Sequence, residues 1–169
     1  MTKVLGIDPG THAGWAVVED NKLLDCGPIN GIVMKARPGY RYRLFYEYLG
    51  SLITHWHPDA LSYEIWHHHS GTVAAEVLGG YKAIIEMVGD LRGLPLIPCE
   101  VGAIKKFATG SGAAKKDKMV LAAKRLFPQF GDRLTNENIA DAVHIARLGN
   151  QLHERAGKEN LKSLSVPTA

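Results

Sequence analysis

Three short strand-like runs stand ahead of the first long helical segment, and that order limits the chain to few architectures. Lys3 to Asp8 is an apolar run ending in Asp-Pro-Gly, a strand that meets a tight turn. Gly14 to Val18 and Lys22 to Cys26 supply two more strands, so the chain opens as an antiparallel meander. After Pro38, Leu44, Tyr48, Leu49 and Leu52 recur at helical spacing over 40–55, until Pro58 breaks the pattern. Ala60 to Trp66 reads as a strand. A helix over 71–91 follows, with Val73, Val77, Tyr81, Ile84, Ile85 and Val88 in one stripe, and then a short strand from Leu94 to Pro98. The remainder reads as helical. A meander followed by alternating strands and helices predicts an α/β fold, a mixed sheet covered by helices. No repeat or low-complexity linker divides the 169 residues, so 1–155 is expected to form one domain and 156–169 a flexible tail.

That length supports a hydrophobic core without disulfides. Cys26 and Cys99 are the two cysteines and no CxxC occurs, so a reducing, cytoplasmic home is expected. No apolar run approaches the ~20 residues of a membrane helix, and the opening MTKVLGIDPG lacks the apolar segment of a secretory signal. The net charge of +3 says little, but its distribution says more. Lys105, Lys106, Lys115, Lys116, Lys118, Lys124 and Arg125 face a lone Asp117 between Val101 and Arg125. Lys35, Arg37, Arg41 and Arg43 form a second patch interleaved with Tyr40 and Tyr42. Such patches suit phosphate contact; solvated helix faces account for either patch equally well.

Three acids stand where acids are costly. Asp8 closes a buried-looking strand, although a Pro-Gly turn also favours Asp there. Glu64 interrupts the strand Leu61 to Trp66, and Glu is depleted in strands; a solvent-facing edge position is the bland account. Asp141 shares a predicted helix face with Leu134, Ile145 and Leu148, too far inside the helix to act as a cap. Glu137 and His144 flank that face on one side and Asn138 on the other. Hard oxygen donors of this kind suit Mg²⁺ or Mn²⁺ rather than zinc. Two such ions about 4 Å apart serve phosphodiester hydrolysis.

GIDPGTHAGWAVVE, ALSYEIW, IKKFATGSGAAKKDKM and NIADAVHIA together, in this order, resemble the RuvC family of Holliday junction resolvases, over Lys3 to about Leu148. The resemblance implies a ribonuclease H-like fold, a mixed five-stranded sheet covered by helices on both faces. It also implies a structure-selective endonuclease resolving four-way DNA junctions, and it extends to small phage-type members. The family's acids fall on Asp8, Glu64 and Asp141, which the resemblance makes catalytic ligands of two Mg²⁺ ions per site, with Mn²⁺ as a substitute. Where many relatives carry another acid or a histidine, this chain has Asn138; Glu137 and His144 are the candidate substitutes. The family's DNA-holding lysines match Lys105, Lys106, Lys115, Lys116 and Lys118; Lys115, Lys116 and Lys118 are favoured, because a helix starting near Ala113 would also present free N–H groups to phosphate. Its junction-centre aromatic matches Trp66 or His67, with Trp66 favoured because it shares a strand face with Glu64. His67-His68-His69 reads as a solvated loop rather than a metal site. Relatives act as homodimers; the Val73–Val88 stripe serves as a pairing helix or packs on its own sheet.

Three alternatives stand beside this. A flap, branched-DNA or RNA-directed nuclease keeps the fold and the acids. A non-catalytic junction-binding protein fits poorly with three retained acids. The Gly-Ile-Asp-Pro-Gly-Thr turn also resembles actin-like ATPases and sugar kinases, but one lobe of this size cannot enclose a nucleotide.

Overall fold

The computed structural model describes residues 1–10, 12–29, 39–65 and 72–164. Five strands form one mixed sheet in the order β3-β2-β1-β4-β5: β1 Lys3–Asp8, β2 Ala13–Glu19, β3 Lys22–Ile29, β4 Ala60–Ile65 and β5 Leu96–Glu100. The opening meander is antiparallel, and β4 and β5 join it in parallel, each after a helix: α1 Tyr40–Trp56 and α2 Thr72–Arg92. Then follow α3 Val101–Thr109, α4 Lys116–Leu126, two short 3₁₀ turns and the long α5 Glu137–Leu164. Pro28 and Pro98 both fall on the outermost strands, where a missing N–H costs least and discourages pairing with another chain.

Strand alternation gives the sheet two unlike faces. Leu5, Ile7, Trp15, Val17, Leu61 and Tyr63 pack against Phe45 and Leu49 of α1 and Tyr81, Ile85 and Val88 of α2. Most of the stripe on α2 is therefore spent on its own sheet, while Val73, Met87 and Leu91 stay exposed. The opposite face is built from small residues. A Cβ added to Gly6 would lie 2.4 Å from the Ala146 backbone N, and one on Gly14 would lie 2.2 Å from the Asn138 carbonyl oxygen. Only glycine lets α5 lie this close to the sheet. Ser62 Oγ donates to the Ile145 carbonyl at 3.0 Å, fixing the helix along its length.

Several boundaries differ from expectation. β5 begins at Leu96 rather than Leu94, because Gly93 at φ 62 closes α2 and Leu94 N–H still bonds back to the Gly89 carbonyl. Leu134 lies in the 3₁₀ turn Arg133–Thr135, ahead of α5, so it shares no helix face with Asp141. The helix α5 continues to Leu164, past the boundary expected at 155.

Candidate active site

Asp8 ends β1 opposite Gly14, and parallel pairing of Ile7 with Tyr63, continued by one residue, sets it beside Glu64. Both acids point to the α5 side. Asp8 alternates with Gly6, which lies under Ala146; Glu64 alternates with Ser62, which bonds Ile145. On α5, Asp141 lies between Asn138, seated on Gly14, and Ile145. Asp8 and Glu64, at the C-terminal ends of two central strands, thus point toward the start of α5, which carries Asp141.

Their electrostatics record the crowding. Asp8 is held well above the ordinary carboxylate range, first by burial, then by the charges of Glu64 and Asp141, with Lys116 opposing. Burial pushes Asp141 up to about 6; Lys116 and Lys105 pull it down and Glu137 pushes it up. The Cys99 thiol, paired across from Glu64, is pushed up to about 12 by burial and then by the Glu64 charge. Desolvated carboxylates with further acids beside them mark a place that a cation would stabilise. The donor chemistry is that of Mg²⁺ or Mn²⁺. Among the described residues no group of three or more His, Cys, Asp or Glu side chains stands ready-made to hold an ion, so the convergence is electrostatic.

The basic residues divide into two groups. Lys116 ion-pairs with Glu137 at 2.9 Å and, with Lys105, acts on Asp141. Lys118 instead lines a groove of about 480 Å³ between α3 and α4 with Thr109 and Arg125. Lys115 caps α4 and Lys106 is exposed on α3. The expected helix start near Ala113 moves to Lys116. In the second patch Arg43 bonds Glu47 at 2.6 Å and lies over the Tyr40 ring, which discharges part of it. Lys35, Arg37, Trp66, His67, His68 and His69 lie outside the described residues.

His144 is a correction. It is fully buried, its Nε2 lies 3.0 Å from the Met119 carbonyl of α4, and burial lowers its pKa to about 4. It is a neutral core residue on the α4 side of the helix, turned from the acids. Asn136 is a residue that periodicity missed: its Oδ1 accepts from the N–H groups of Asn138 and Ile139, capping α5 and fixing where its acids begin. An asparagine just before Glu137 was the available signal. Arg133 was missed too. It bonds Asp25 and the Cys26 carbonyl and lies over Phe130, tying the turn ahead of α5 to β3.

A mixed five-stranded sheet of order 3-2-1-4-5, with carboxylates at the ends of the central strands beneath a closing helix, defines the ribonuclease H-like class. The profile of the family described as "Crossover junction endodeoxyribonuclease RuvC" matches residues 4–148, and the chain belongs to that family of Holliday junction-resolving endonucleases. The RuvC protein of Granulibacter bethesdensis is 30% identical over 92% of this chain and 88% of its own length. That of Methylorubrum extorquens is 32% identical over 85% and 77%. Among solved structures, Thermus thermophilus RuvC in complex with Holliday junction substrate superposes with a TM-score of 0.76 at 20% identity, covering 89% of this chain and 98% of that one. The yeast mitochondrial Holliday junction resolvase Ydc2 gives 0.60 at 15% identity, covering 95% and 84%. No helix among the described residues is long and apolar enough to cross a membrane.

Proposed function

We propose that Asp8, Glu64 and Asp141 hold divalent metal, two Mg²⁺ ions with Mn²⁺ as a substitute, and that the site cuts four-way DNA junctions in paired strands. The carrying observation is that Asp8, desolvated at a sheet end, is raised by the charges of Glu64 and Asp141, while Lys116 acts on both Asp8 and Asp141. The metal supplies an acidified water and charge stabilisation at the reacting phosphate. The chain's own groups do the rest. The strand ends hold Asp8 and Glu64 side by side, and the glycine-lined seat of α5 brings Asp141 down to them. Lys116 and Lys105 face the acids and meet charge that builds on the phosphate oxygens. Lys106, Lys115 and Lys118 spread along α3 and α4 and hold the DNA backbone, and Trp66 or His67 meets the junction centre. Each chain carries one set of acids, so two symmetric cuts call for a homodimer. Two buried free thiols suit a cytoplasmic site of action.

The test is cleavage of labelled four-way junctions with Mg²⁺, beside linear duplex, 5′-flap and RNA–DNA hybrid. Paired symmetric nicks leaving 5′-phosphate and 3′-hydroxyl ends, lost in Asp8→Asn while junction binding remains, are the expected result. Preferential cutting of flaps or hybrids overturns the substrate, and cutting by Asp8→Asn overturns the metal site. Tight junction binding without cutting marks a binding protein instead.

A further inference from the structure

Lys116 occupies a position that the helix it opens does not favour. A helix N-terminus carries partial positive charge, and cations belong in the last turn, where α4 places Lys124 and Arg125. Lys115 precedes it as a cap residue without a side-chain cap bond and Lys118 follows, so three ammonium groups crowd the positive end. Asp117 in the first turn offsets part of this, and a second compensating charge comes from α5. Lys116 Nζ stands 2.9 Å from Glu137 Oε2, and Glu137 is the first residue of α5. Four residues on, stacked on the same helix face, comes Asp141. Lys116 is thus bonded to Glu137 while it feels the charges of Asp141 and Asp8. The Lys116 ammonium is stabilised first by its hydrogen bond to Glu137 and then by those two acids.

A lysine on a flexible four-carbon stem beside two desolvated carboxylates is a ready internal counter-ion. Closed onto them, it would take the place that a metal needs. We propose that Glu137 is a positioning residue that tethers Lys116 outside the Asp8–Asp141 pair, keeping those carboxylates open to metal and the ammonium free for the phosphate, and that Glu137 is not itself a ligand. The inference rests on the reading of these acids as the metal site. Glu137 suits the task because it is half exposed at the helix end, with one carboxylate oxygen engaged by the lysine. Its neighbour Asn138 is neutral and has its carbonyl pressed on Gly14, so α5 offers no second acid in its first turn.

The two roles separate in a suppressor experiment. Mn²⁺ is titrated calorimetrically into metal-free protein without DNA, for wild type, Glu137→Ala, Lys116→Ala and the double variant, with Asp141→Asn as control. A tether predicts that Glu137→Ala weakens Mn²⁺ binding by up to about fivefold, the scale of one exposed ion pair. Lys116→Ala then removes the defect, leaving the double variant equal to Lys116→Ala. A defect that persists in the double variant makes Glu137 a ligand and overturns the proposal, as does unchanged binding in Glu137→Ala. Wild type that binds no Mn²⁺, or Asp141→Asn that binds it as well as wild type, overturns the underlying metal-site reading instead. A thermal-unfolding double-mutant cycle on metal-free protein tests the tether by itself: additive effects of Glu137→Ala and Lys116→Ala mean that no tether exists.

Discussion

Asp141 and His144 stand one turn apart on α5, and burial pulls their proton affinities in opposite directions: Asp141 up to about 6, His144 down to about 4. In both cases burial favours the neutral form. What separates them is what each meets. His144 is neutral and fully buried, with Nε2 on the Met119 carbonyl. Asp141 acts on Asp8, which Glu64 also crowds, and Lys116 and Lys105 offset only part of the cost of its charged form. One face of the helix is settled by packing. The other is held in an unfavourable state by the same packing, as expected where binding supplies what folding leaves out.

The largest effect expected from breaking this contrast is on catalysis. Asp8→Asn or Asp141→Asn should lower junction cleavage at least about a thousandfold, measured under single turnover with Mg²⁺. In metal-free protein the same Asp141→Asn should raise stability at pH 7, by roughly 3–8 °C in Tm. The sign follows from linkage. With a folded pKa of about 6 against 3.8, the native state binds the proton more tightly, so this group costs stability as pH rises through that window.

Next comes the packing that makes the two faces. Gly6→Ala forces a Cβ against the Ala146 backbone and should cost about 1–3 kcal/mol by urea unfolding, with cleavage reduced as α5 lifts. His144 should show the opposite pH signature to Asp141. Its stabilisation is complete above its ordinary 6.5 and is lost as pH falls toward about 4, a loss on the order of 2–3 kcal/mol. His144→Gln should flatten that acid-side decline in metal-free thermal unfolding between pH 7 and 4.5. Smallest is the periphery: Lys118→Gln should weaken junction binding and reduce the slope of log K against log salt by about one.

Much of this was legible in the chain. Apolar runs broken by Asp-Pro-Gly and by Glu64 located two strands and the acids at their ends, and strand-then-helix order foretold the mixed sheet. Helical spacing correctly set Asp141 on a face turned toward the sheet. The same spacing could not say which neighbouring face meets α4, and so His144 was misplaced beside the acids. Leu134 was drawn onto a helix that Asn136 caps only after it. The pairing of Glu137 with Lys116 joins two helix starts distant in sequence, and no local pattern encodes it. Among seven clustered cations, an expected helix start favoured Lys115, Lys116 and Lys118; strand ends and helix seats instead bring Lys105 and Lys116 to act on Asp141 and leave Lys118 in a groove between α3 and α4.

If α5 brings Asp141 to the strand-end acids Asp8 and Glu64, metal must stabilise the fold through all three. Thermal unfolding of wild type, Asp8→Asn and Asp141→Asn, each with and without Mg²⁺, tests it most directly. Tm should rise with Mg²⁺ only in wild type, and the variants should be more stable than wild type without it. Equal Mg²⁺ response in all three, or variants that are merely destabilised, would contradict it.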